Sequence, residues 1–170
     1  QYFITKISTS NYQIETMHFV NLIFSFTAIL GFGKVCRELF NKKVGQIAFL
    51  ILFFYPIFFG HMGFNPKDTI LAFCHVWIFY LILRYIKKQN INSKSTKYIV
   101  LISLLAATST GIQLVFLGSM ISILLFILAD IFIFKKISNK RFKKKKFLFD
   151  LIKGFLIFYL LLTLFWIDTH

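Results

Sequence analysis

Asn65, Lys67 and Asp68 fall within one helical turn of each other, and His61 lies one turn upstream. All four belong to the stretch Tyr55–Asp68, YPIFFGHMGFNPKD, which also holds both prolines and two of the eight glycines of the chain. Lys67 can offer a cation to a phosphate at a membrane surface, and Asp68 can orient a hydroxyl or help to hold a divalent cation. One acid is too few for a metal site, so a divalent cation would need further ligands from elsewhere, and the sequence specifies no cofactor. The same residues also read as a helix start: Asn65 as N-cap, Pro66 at the first helical position, and Asp68 as an acid against the positive helix end. Both readings stand for Asp68. His61 is either a proton-transfer group or a hydrogen-bonding residue at the interface. Gln113, in the polar interruption TSTGIQLVFLG, either reaches the same cavity as Asp68 or bonds between helices.

Other polar residues are weaker candidates. His18 and His75 sit inside apolar runs, where a polar group usually faces other helices. Asp130 lies five residues from Lys135, a natural partner. Cys36 and Cys74 form neither a disulfide framework nor a metal motif. The chain has no Gly-rich phosphate loop, zinc-type spacing or Ser/His/Asp arrangement.

The elements that position these residues follow from composition. The 170 residues are 58% hydrophobic with 24 Phe, arranged in long apolar runs, which implies an all-α polytopic transmembrane protein. A net charge of +14 would suggest nucleic acid in a soluble protein, but here the cations lie between apolar segments, where they orient helices. Nucleic-acid binding is therefore excluded as a reading. The apolar runs predict about six membrane helices in one transmembrane domain over 1–170, near 17–33, 44–60, 69–86, 98–110, 113–134 and 147–166. The stretch from Tyr98 to Phe134 is divided because it would span about 55 Å as one helix, nearly twice a bilayer core. Its break is expected between Thr108 and Gly118, and the small residues Ala106, Ala107, Thr110 and Gly111 suit close packing in lipid.

Four Lys or Arg lie between 34 and 43, five between 84 and 97 and nine between 135 and 153, leaving only Lys6 and Lys67 elsewhere. Because cytoplasmic loops retain cations, residues 60–68 are expected as an external turn. The same alternation puts the lead-in 1–16, the break near Gln113, and Asp168 and His170 on that face. The lysine run 143–146 reads as a topology anchor that also attracts anionic membrane lipid. The chain opens at Gln1 with no signal-peptide pattern and ends just past an apolar run, so an internal fragment of a longer chain is expected.

A proline near the end of one helix, GHMGFNPKD opening the next, a preceding His-containing helix (MHFVNLIFSFTAILG) and a following STGIQL break together resemble a known family. It is that of the bacterial dolichyl-phosphate-mannose-protein mannosyltransferase-like enzymes of the GT-C superfamily, and the resemblance covers residues 15 to 168. It implies a multi-pass glycosyltransferase of the plasma (inner) membrane that takes a polyprenyl-phosphate-linked sugar donor at the external face; the acceptor is not specified. It places the main catalytic acid on a first external loop, upstream of Gln1, a carboxylate near the site at Asp68, and the donor phosphate near Lys67. Asn65, His61 and Gln113 are the further expected substrate contacts. The family often carries Arg after the glycine where this chain has Gln113. On its own the 1–170 segment is expected to be inactive. Two other classes remain open on the residues alone. In a transporter, Asp68, His61 and Asp130 would line a pathway, although no repeat supports this. The other is a non-catalytic membrane assembly subunit.

Overall fold

Long apolar runs without water to satisfy the backbone must close their hydrogen bonds internally, and the chain does so as helices. The computed structural model describes residues 13–89, 95–135 and 142–165. Their order is α1 (Gln13–Leu39), α2 (Lys42–Phe53), α3 (Pro56–Phe64), α4 (Pro66–Lys88), α5 (Ser95–Ile112), α6 (Phe116–Ala129) running into a π-helical turn (Asp130–Phe134), and α7 (Lys144–Phe165). No strand occurs among the described residues. Among the described residues, four helical stretches are long and apolar enough to cross a membrane: Ile14–Leu39, Pro66–Lys88, Phe116–Phe134 and Lys144–Phe165. The bent pair Lys42–Phe53 and Pro56–Met62 counts as a fifth if taken as one span, and Thr96–Ile112 is a shorter apolar helix. The protein is thus an all-α membrane protein.

One expectation needs correcting. The second apolar run is not a single helix leading into an open turn at 60–68. It breaks after Phe53 and resumes at Pro56 as α3, bent by 65°. Pro56 has no N–H to donate, but that donor is free at the start of a helix, so the ring sits comfortably at the first position of α3. Pro66 opens α4 in the same way. Between the two helices the non-helical backbone shrinks to Asn65.

The contacts divide the chain into two units, Gln1–Val76 and Trp77–His170, with the boundary inside α4. In the first, α1 and α2 meet at two glycines. A Cβ on Gly45 would lie 2.7 Å from the Gly33 carbonyl oxygen and 2.8 Å from the Arg37 Cβ, so only hydrogen fits there. Asn41 starts α2 by accepting the Val44 N–H at 2.9 Å. Edge-to-face rings, Phe24 on Phe73 at 5.0 Å and Phe26 on Phe49 at 6.2 Å, pack α1 against α4 and α2.

Gly45→Ala is expected to destabilise the protein by about 1–3 kcal/mol, because backbone rather than a flexible side-chain end must move. Gly60→Ala, where a Cβ meets nothing within 4 Å, should be neutral or stabilising by up to about 1 kcal/mol. Thermal unfolding in detergent checks both; equal losses would refute the glycine contact.

In the second unit, Tyr85, Ile86, Ile99, Ile123, Ile127 and Ile131 form the core. Ser103 on α5 donates to the Gly154 carbonyl of α7 at 2.8 Å. Gln89, which directly follows Lys87 and Lys88, is buried. It accepts the Lys143 N–H at 2.9 Å and reaches the Tyr85 hydroxyl at 3.1 Å, while that hydroxyl donates to the buried Asp150 carboxylate at 2.7 Å. These bonds tie the end of α4 to the start of α7 with each polar group satisfied. Residues 1–12 of the lead-in, residues 90–94, residues 136–141 and the end from Trp166 lie outside the described residues.

Candidate functional site at the α3–α4 junction

Asn65 is shared by two helices. Its own N–H donates to the His61 carbonyl at 3.1 Å and closes α3, while its side-chain oxygen accepts the Asp68 N–H at 3.2 Å and opens α4. Its amide nitrogen then donates to Asp68 Oδ2 at 2.6 Å. One asparagine side chain therefore both caps the helix and fixes the carboxylate. Asp68 is exposed, and its second oxygen has no hydrogen-bond partner among the described residues. Lys67 is exposed beside it, in the first turn of α4, where the helix end is positive. Cation, helix terminus and oriented carboxylate thus share one turn, a combination suited to a phosphate and a hydroxyl.

His61 is exposed in the last turn of α3, one turn before the cap. Gln113 belongs to the second unit, at the residue where α5 ends; the chain passes through Leu114 and Val115 before α6 begins. Asp130 is buried at the start of the π-helical turn, and Lys135, with φ of 52°, closes that turn through its N–H on the Asp130 carbonyl at 2.6 Å. His18 is exposed on α1 and His75 partly buried on α4. Cys36 and Cys74 form no disulfide among the described residues. Among the described residues no three His, Cys, Asp or Glu side chains converge as metal ligands, and Asp68 is the one carboxylate at this junction.

The residue that sequence reading missed is Asn21. It is 1% exposed within apolar α1, donates its amide to the Met62 carbonyl at 2.7 Å, and accepts the hydroxyl of Thr69, itself 2% exposed. Ser25, one turn on, donates to the Asn21 carbonyl at 2.8 Å. The available signal was the spacing of His18, Asn21 and Ser25, which gives an otherwise apolar helix a polar stripe.

The fold and this junction define an all-α polytopic membrane protein with an exposed Lys–Asp pair at a helix start. The chain belongs to the dolichyl-phosphate-mannose-protein mannosyltransferase family, whose model matches residues 1–166. No match is found among curated proteins or among solved structures. The family supports membrane glycosyltransferase activity of the mannosyltransferase kind.

Proposed function

We propose that this protein transfers a mannosyl-type sugar from a polyprenyl-phosphate donor to an acceptor hydroxyl at the external face of the plasma membrane. The observation that carries the reading is the first turn of α4, with Lys67 exposed at a positive helix end and Asp68 held by Asn65. In the transfer, the acceptor oxygen bonds to the sugar C1 as the bond from C1 to the phosphate oxygen breaks, and the acceptor proton passes to a base. The bonding pair leaves with the polyprenyl phosphate. Negative charge therefore grows on the phosphate, where the Lys67 ammonium and the positive end of α4 stabilise it. Asp68 aligns the acceptor hydroxyl, assisting the first-loop acid that the family resemblance implies. His61 is proposed as a further polar contact to the substrates, and Asn65 acts through Asp68.

Membranes containing the full-length protein should release polyprenyl phosphate from polyprenyl-phosphate-mannose and pass the sugar to an acceptor. A panel of polyprenyl-phosphate sugars with no turnover of any member would refute the reading.

Orientation is tested separately. Single cysteines at Lys67, Lys88 and Lys145, in a background lacking Cys36 and Cys74, should divide cleanly. An impermeant thiol reagent added outside should label position 67 and spare 88 and 145; the opposite pattern would reverse the topology.

A further inference from the structure

We propose that Asn21 is a positioning residue for the transfer reaction, its buried carboxamide setting where Lys67 and Asp68 stand. The inference rests on the assignment of the first turn of α4 to the substrates. It begins with a gap that Pro66 makes in the backbone. In a continuing helix the Met62 carbonyl would accept the N–H four residues on, but that residue is Pro66, which has none. A carbonyl left unpaired inside an apolar bundle is costly, and the Asn21 amide nitrogen fills the vacancy at 2.7 Å.

The other end of the same carboxamide accepts the Thr69 hydroxyl. That hydroxyl has one proton, and its next nearest acceptors are the Asn65 and Pro66 carbonyls at 3.0 and 3.2 Å. Asn21 thus holds the chain at Met62 and again at Thr69, on either side of the segment that contains Asn65, Lys67 and Asp68. Asn21 and Thr69 are both buried, whereas Lys67 and Asp68 are exposed, so the clamp does not itself meet substrate at the surface. Its effect is on placement. A shift of about 1 Å in groups that must meet reacting atoms can lower a rate by about a hundredfold.

The test compares Asn21→Leu, Thr69→Val and Thr69→Ser in the full-length membrane protein, with Asp68→Asn and Lys67→Ala alongside. Folded protein is counted by gel filtration in detergent, and turnover with polyprenyl-phosphate-mannose is expressed per folded molecule. Asn21→Leu, which keeps the branching of the side chain and removes both bonds, should lower kcat about tenfold or more. Thr69→Val should lower it about threefold, and Thr69→Ser should recover most of that loss. If Asn21→Leu does not fold, the Val and Ser pair at position 69 carries the comparison. Normal turnover per folded molecule in Asn21→Leu and Thr69→Val, with only the folded amount reduced, would make the clamp purely structural and overturn the inference. If Asp68→Asn and Lys67→Ala also turn over normally, the site assignment falls with it; if those two are impaired, the site stands and the positioning role alone is lost.

Discussion

Asp68→Asn is expected to leave the full-length protein folded and abundant while lowering turnover about a hundredfold. The substitution is nearly silent for the helix. The cap itself runs from the Asp68 backbone N–H to Asn65 Oδ1, which the change does not touch, and asparagine still presents an oxygen to the Asn65 amide. What is lost is a negative charge in the first turn, worth about 0.3–1 kcal/mol at an exposed site. A carboxylate that aligns the acceptor loses far more: a hundredfold in rate corresponds to about 2.7 kcal/mol of transition-state stabilisation. The two roles therefore separate by magnitude, provided abundance and initial rate are measured on the same membranes. A rate near that of the unmodified protein would leave Asp68 as a helix-capping acid and nothing more.

Lys67→Ala should lower kcat/KM about thirtyfold, or about 2 kcal/mol, the scale of a charge-assisted hydrogen bond. Because the donor carries its phosphate before and during transfer, part of the loss should be a raised KM for the donor and part a lower kcat. Stability should hardly change, since the side chain is exposed and its removal leaves no cavity. Lys67→Arg should keep much of the activity, because charge is retained even though the donor geometry differs. Saturation kinetics on the donor check this, and unchanged constants in Lys67→Ala would remove the phosphate contact from the site.

Much of the architecture was legible because it depends on neighbours in the chain. Hydropathy alone marks where helices must form, since lipid forces each apolar stretch to satisfy its own backbone. Asn65, Pro66 and Asp68 announce a helix start for equally local reasons: a side-chain acceptor, a residue with no N–H to waste, and an acid at the positive end. Polar and small residues between Thr108 and Gly118 coincide with the point at which α5 gives way to α6 for the same reason. The lysine clusters can be read for orientation without any contact being known.

Other features depend on partners far away in sequence. Pro56 reads as lying near the end of one helix, whereas the tertiary structure places it at the start of α3, bent by 65° from α2. Gln89 is one more polar residue after a lysine pair until the Lys143 N–H and the Tyr85 hydroxyl meet its carboxamide. Gly45 is an ordinary small residue until the Gly33 carbonyl arrives against it. Asn21 is the sharpest case, because its partners Met62 and Thr69 lie 41 and 48 residues away. A chain of membrane helices with a capped Lys–Asp turn follows from the order of residues, since hydropathy, capping and charge act within a few positions. What holds that turn in place follows from folding, since a buried carboxamide has no defined role until the fold brings it an acceptor and a donor.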